Sequence, residues 1–148
     1  MVDVLTETTI DAPLARVAEY AANPDHAPAW YVNINSAEWQ TPKPLQLGSK
    51  ITFVARFLGR TLRYTYEIVE FEPLQKLVMK TAEGPFPMET TYTWEAAGQG
   101  KTRMRLRNRG TPSGFSKLLA PLMAPAMKLA NQNDLKLLKQ ILEKPSNA

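Results

Sequence analysis

The sequence predicts an α+β fold in which a curved antiparallel sheet of about seven strands wraps a long C-terminal helix, with two short helices between the first two strands. Three observations carry this. Residues 115–143 repeat apolar side chains at helical spacing. Two hairpins, around Gly59 and around Gly98-Gln99-Gly100, each sort their residues into a wet face and an apolar face. A run of six antiparallel strands must curl and have its apolar side covered, and the terminal helix is the segment long enough to cover it.

The elements follow in chain order. Val2, Val4 and Ile10 alternate with Asp3, Glu7 and Thr9, as in a half-buried strand. Asp11-Ala12-Pro13 signals a helix start, with Asp11 or the turn after it as cap and Pro13 at an early helical position. Leu14, Val17, Ala18 and Ala21 form the inner stripe of that helix, which ends before Asn23-Pro24. A second short helix spans 25–30, and a strand follows over 33–40. Ile51, Phe53, Ala55 and Phe57 alternate against Thr52 and Arg56 in the next strand.

Gly59-Arg60 then reads as a two-residue turn. It pairs Leu58 with Thr61, Phe57 with Leu62 and Arg56 with Arg63, and puts Leu62, Tyr64, Tyr66 and Ile68 on the face of Phe53 and Phe57. Leu77, Met79 and Thr81 alternate with Lys76 and Lys80. After the 83–87 loop, Met88, Thr90, Tyr92 and Trp94 alternate with Glu89, Thr91, Thr93 and Glu95. A three-residue loop at 98–100 sets Glu95 opposite Arg103, Thr93 opposite Arg105 and Glu89 opposite Arg109, with Trp94–Met104 and Tyr92–Leu106 on the inner side.

In the terminal segment, 100° per residue places Leu119, Leu122, Met123, Ala126, Met127, Ala130, Leu137 and Ile141 on one face. Lys117, Lys128, Gln132, Lys136, Lys139 and Glu143 fall on the other. Pro121 and Pro125 predict a short helix or turn over 113–120, then a bend, with the main helix starting near one of these prolines. The first half of its buried face is methionine and alanine, which fill space loosely.

Composition narrows the function classes. The 148 residues suit one domain, 1–148. Without cysteine there is no disulfide framework and no thiolate metal site, and one histidine is too few for a His-rich metal centre. A net charge of +4 is compatible with anionic ligands but gives no nucleic-acid signature. The N-terminus lacks the features of a signal peptide, and the apolar run 118–127 is too short to span a bilayer. The expectation is a soluble, cytoplasmic protein without metal, nucleic-acid partner or stable membrane insertion.

Three stretches resemble the START-like superfamily, also called SRPBCC or birch-pollen-allergen-like, and most closely its polyketide cyclase/dehydrase and lipid-transport branch. They are Thr9-Ile10-Asp11-Ala12-Pro13 leading to Val17, Asn23-Pro24-Asp25 with Trp30, and Asn133-Asp134-Leu135-Lys136-Leu137-Leu138-Lys139. The resemblance implies a helix-grip fold with an apolar cavity between sheet and helix. It implies ligands such as lipids, sterols, polyketides, quinones or hormones, or cyclase and aromatase activity. It carries no shared catalytic motif, so it assigns no active-site residue; no cofactor is expected.

The predicted inner face supplies the candidate ligand-binding residues: Trp39, Phe53, Phe57, Tyr64, Tyr66, Met79, Met88, Tyr92, Trp94 and Met104, opposed by Met123 and Met127. Aromatic stripes are usually ordinary core; here the resemblance favours a pocket whose polar groups are the tyrosine hydroxyls. Asn108 on the last strand and Asn133 at the edge of the helix stripe are further candidates to orient a polar head. The leading expectation is a carrier of a hydrophobic small molecule, its entrance flanked by the proline bend and the Gly59 hairpin. One alternative is a cyclase or dehydratase, with a cavity tyrosine as general acid and His26 as base. Another is an interaction module working through the basic stripe Lys101, Arg103, Arg105, Arg107 and Arg109, although opposing acids favour a solvated face with cross-strand ion pairs.

Overall fold

The computed structural model describes residues 2–57, 59–84, 86–111 and 120–144. Strand β1 (Val2–Ile10) leads into α1 (Leu14–Ala22), a 3₁₀ turn (Pro24–His26) and α2 (Ala27–Trp30). Six strands follow: β2 (Ile34–Trp39), β3 (Lys50–Phe57), β4 (Arg60–Glu72), β5 (Lys76–Glu83), β6 (Met88–Ala96) and β7 (Thr102–Gly110). Helix α3 (Ala120–Leu142) closes the chain. The strands form one antiparallel sheet in the order β1-β7-β6-β5-β4-β3-β2. This is the α+β helix-grip arrangement expected from the sequence, because each strand presents alternate apolar residues to the side that the helices cover. β1 returns to pair with β7, so α3 leaves β7 and packs back along β1.

The β6–β7 hairpin has the expected register. Trp94 faces Met104, Tyr92 faces Leu106, and Glu95 and Glu89 face Arg103 and Arg109. Two glycines with positive φ, Gly98 and Gly100, turn the chain there. The β3–β4 hairpin differs by a slip of two residues. Phe57 faces Arg60, Arg56 faces Thr61 and Val54 faces Arg63. Gly59, at φ 77°, takes the second loop position where the expectation gave it the first. A two-residue slip leaves every side chain on its own face, so Phe53, Tyr64 and Tyr66 remain inside. The opposed Arg56/Arg63 pair does not form; Arg63 instead reaches Glu38 at 3.1 Å.

At the start of α1 the cap is Pro13, in the turn after Asp11, which is the second of the two expected caps; it makes no side-chain capping bond. The α1 stripe of Val17, Ala18 and Ala21 is buried as expected.

Helix α3 begins at Ala120, beside Pro121, which is one of the two expected starts, and the bend expected before it falls at the edge of the described residues. Pro125 lies inside it, but in the second turn, where the one carbonyl that its missing N–H leaves without an i−4 donor is that of Pro121. The short helix or turn expected over 113–120 falls almost wholly outside the described residues. The buried face is also rotated from the expected one. It carries Met123, Met127, Asn131, Asp134, Leu135, Leu138 and Leu142, whereas Leu122 and Leu129 are 59% and 61% exposed. The expected stripe avoids Asn131 and Asp134 as polar; both face inward because they find hydrogen-bond partners there.

This rotation sets a test of the packing. Leu138, fully buried, loses about 2–5 kcal/mol of stability on replacement by alanine. Leu129→Ala stays within about 0.5 kcal/mol of the parent. Urea denaturation of the two variants reads the difference, and equal losses would refute the assigned helix face.

Candidate functional site

The space between sheet and helix is built from strands whose inner residues are large at one end and covered by a helix with small or flexible ones. Phe53 from β3, Leu62, Tyr64 and Tyr66 from β4, Met79 from β5, and Met88, Thr90 and Tyr92 from β6 form its floor. Met123, Met127, Ala130, Asn131 and Asp134 on α3 form its roof. Tyr31 and Asn33 after α2 and Ile34 at the start of β2 close one side, Phe86 and Asn108 another, and the exposed Arg56 stands with Ala55 at the rim. The cavity they enclose is about 140 Å³.

Its polar groups are bonded to one another. The Thr90 hydroxyl donates to Asn108 Oδ1 at 2.6 Å. Asn108 Nδ2 donates to Asn131 Oδ1 at 2.8 Å, and Asn131 Nδ2 to Asp134 Oδ2 at 3.5 Å. The other carboxylate oxygen of Asp134 accepts the Val32 backbone N–H at 2.8 Å. The hydroxyls of Tyr31 and Tyr92 hydrogen-bond each other. One chain of polar contacts therefore links β6, β7, α3 and the segment after α2.

Burial sets the protonation of these groups. Asp134, 2% exposed, is raised from the ordinary 3.8 to about 6, against the opposing pull of the Val32 and Asn131 hydrogen bonds. The Tyr66 hydroxyl is raised by burial to about 12. Burial also pushes Tyr31, Tyr64 and Tyr92 up. At neutral pH the cavity thus offers protonated phenols and one carboxyl group able to gain or lose a proton in the working range.

Of the residues expected at the site, Phe53, Tyr64, Tyr66, Met79, Met88, Tyr92, Asn108, Met123 and Met127 line this cavity. Trp39, Trp94 and Met104 do not. Met104 is fully buried, paired between Thr8 and Trp94. Trp39 and Trp94 lie at the other end of the inner face, in a separate cleft beside α1. Alternation identifies the face of a strand but not the position along it, and these three sit on the right face beyond the cavity. The side chain of Phe57 is outside the described set. Asn133 is exposed, and its place is taken by Asn131 and Asp134.

His26 lies away from the cavity. Its ring stacks on Tyr20 with centroids 4.0 Å apart, and Nδ1 is 3.0 Å from the Tyr20 carbonyl oxygen. It cannot serve as a base in the cavity. Sequence reasoning missed Tyr31, Thr90, Asn131 and Asp134 as a set, since their contacts join residues as many as 102 positions apart.

The outer face is a lattice of ion pairs. Arg105 bonds Glu7 at 2.9 Å, Arg107 bonds Asp3 at 2.7 Å, and Arg103 bonds Glu95 at 3.2 Å. Arg109 faces Glu89 at 3.6 Å. The basic stripe is matched by acids from both neighbouring strands. Among the described residues no cluster of histidine and carboxylate groups is arranged to hold a metal ion, and no helix is long and apolar enough to cross a membrane.

Comparison with solved structures gives close matches in fold. The protein TTHA0849 from Thermus thermophilus superimposes with a TM-score of 0.82 at 23% identity, over 95% of this chain and 96% of that one. The Zhui aromatase/cyclase from Streptomyces sp. R1128 gives 0.81 at 13% identity, over 95% and 93%. A START superfamily protein from Mycobacterium smegmatis gives 0.79 at 12% identity, over 95% and 97%. At these identities the likeness establishes the fold alone. No curated protein sequence matches the chain. The model of one family, described as polyketide cyclase / dehydrase and lipid transport, matches residues 1–143, and the chain belongs to that family.

Proposed function

We propose that the protein binds a hydrophobic small molecule bearing a neutral oxygen function in the cavity between the sheet and α3. The observation that carries this reading is the composition of the cavity wall. Rings, methionines and aliphatic side chains supply contact area, while Tyr31, Tyr92, Asn108 and Asn131 supply hydrogen bonds. Apolar burial contributes roughly 25 cal/mol per Å², and a few fixed polar groups orient the molecule. A hydroxyl or carbonyl suits these groups better than a carboxylate, which would face Asp134. Family membership supports the same reading.

One observation favours a second reading, a cyclase- or dehydratase-type enzyme. A carboxyl group held near 6 beside two protonated phenols is equipped for general acid–base work. Tyr31 or Tyr92 would donate a proton to a carbonyl oxygen, and Asp134 would accept one. The fold shared with a Streptomyces protein named as an aromatase/cyclase agrees with this. The reading assigns His26 no role.

Met127→Trp places an indole in the cavity. It lowers affinity for a hydrophobic alcohol at least tenfold while the circular-dichroism spectrum and cooperative unfolding persist. Unchanged affinity, by calorimetry or native mass spectrometry, would count against binding in this cavity.

Asp134 imposes a pH signature with a defined sign. Its folded value lies above its unfolded one, so between about pH 4 and pH 6 the native state holds a proton that the unfolded chain has released. Stability from this group is greatest below about pH 4 and falls as pH rises towards 6. The shift from 3.8 to about 6 corresponds to about 3 kcal/mol. Asp134→Asn removes the effect, so the variant gains about that much on the parent between pH 4 and pH 7. Urea denaturation at both values measures it; a difference independent of pH would refute the assignment. Under the enzyme reading, turnover also carries an apparent pKa near 6 and is lost in this variant.

A further inference from the structure

The inner face of the sheet is covered in two places by different elements, and the space beneath is divided between them. At one end lies the cavity under α3. At the other lies a larger cleft of about 580 Å³, with Trp39, Phe71 and Trp94 among its walls and Ala18 and Ala22 of α1 above. Between them is a void of about 10 Å³. Its walls include Ala22, Pro24 and Leu45, which also line the cleft, and Phe53, Met79 and Tyr92, which also line the cavity. The strands repeat this order. In β6 Tyr92 faces the cavity and Trp94 the cleft; in β4 Tyr66 faces the cavity, Ile68 the void and Phe71 the cleft.

The element that divides the space is the α1–α2 segment, and it is narrow where it crosses. It lines the void with Ala21, Ala22, Asn23, Pro24 and Ala27, three of the five being alanine. On the sheet side Ile51, Ile68 and Leu77 are fixed in the core, while Met79, and Leu45 on the loop side, are unbranched at Cβ and change rotamer readily. The segment itself is held firmly. Asp25 accepts the Trp39 indole N–H at 2.8 Å and pairs with Lys43 at 2.7 Å. Asn23 Oδ1 accepts the Asp25 N–H at 3.0 Å. A fixed bridge, mostly alanine, with Met79 and Leu45 able to yield beneath it, describes a constriction.

We propose that cavity and cleft are the two ends of one ligand path beneath this bridge, and that its occupant is an unbranched amphiphile. The neutral head lies among Tyr31, Tyr92 and Asn131; the alkyl chain passes under Ala22, displaces Met79 and Leu45, and ends between Trp39 and Trp94. The cavity alone falls below the several hundred Å³ typical of ligand pockets, and the cleft brings the site into that range. A fused-ring molecule does not pass a constriction of this width. This inference rests on the reading of the cavity as a ligand site and adds the class of ligand and its direction.

The experiment uses straight-chain alcohols brominated at the terminal carbon, one of hexadecyl and one of octyl length, with tryptophan fluorescence as readout. Bromine quenches an indole in contact with it. The long alcohol quenches the emission that Trp39→Phe and Trp94→Phe remove, and the short one leaves that emission unchanged. Ala22→Phe narrows the passage and weakens the long alcohol at least tenfold, with the short one within twofold. Leu45→Trp, on the partly exposed loop, gives the same selective loss if the first variant does not fold. Binding of both lengths with no selective quenching or selective loss overturns the path and leaves the cavity reading standing. Binding of the short alcohol alone likewise overturns only the path, and failure of both to bind overturns both.

Discussion

The buried carboxyl of Asp134 is the constraint to which the rest of this site answers. A carboxyl group on the inner face of a helix must be neutralised or fully hydrogen-bonded, and its two partners come one from outside the helix and one from the preceding turn of α3. Val32 N–H reaches it from the chain beyond α2, and Asn131 relays it to Asn108 and Thr90 on the sheet. These bonds fix the rotation of α3 about its axis and the distance between helix and sheet. Apolar packing tolerates rearrangement among residues of similar volume. A hydrogen-bonded chain with defined donors and acceptors tolerates far less. The fold thus uses directional bonds at the cavity and ordinary leucine packing, through Leu135, Leu138 and Leu142, at the other end of the helix.

That division explains why a space remains open. Where α3 carries leucine, it meets β1 and α1 in solid core. Where it carries Met123, Met127 and Ala130, it faces rings that stand edge-on or tilted to one another. Phe53 and Tyr66 are 5.8 Å apart at 66°, and Tyr64 and Phe86 are 6.0 Å apart at 87°. Rings in this arrangement brace each other and do not fold flat into the gap. With the polar chain holding the helix in place, collapse would have to strand buried hydrogen-bonding groups, at about 1–3 kcal/mol each.

How much of this can be read from sequence depends on the range of the interaction. The β6–β7 hairpin is legible residue by residue, since alternation and a two-glycine loop are local. The β3–β4 hairpin is legible as to faces but falls two residues out of register, because one glycine fits either loop position and no side chain changes face in the slip. The helix is legible but its phase is not. Hydrophobicity treats Asn131 and Asp134 as outward residues, and only partners far along the chain make them inward ones. The same limit hides that Trp39, Trp94 and Met104 lie beyond the cavity under α3. Their alternation is right, but whether a residue meets α1 or α3 depends on how the helices lie across the sheet, which no pattern within a strand encodes.

The outer face bears on function through what it removes. Five basic residues alternating along one strand would be an anion-binding surface if unopposed, yet Asp3, Glu7, Glu89 and Glu95 stand within ion-pair distance of four of them. Each exposed pair contributes only about 0–1 kcal/mol, so the array does little for net stability. Nor does it select the register, since basic residues recur at every second position of β7 and a slip of two residues along β1 or β6 would still set acids against them. With four of its five basic residues paired, this face carries less free positive charge than the stripe alone suggests. The chemistry of the molecule is therefore concentrated on the concave side, where phenols, amides and one carboxyl group stand among apolar walls.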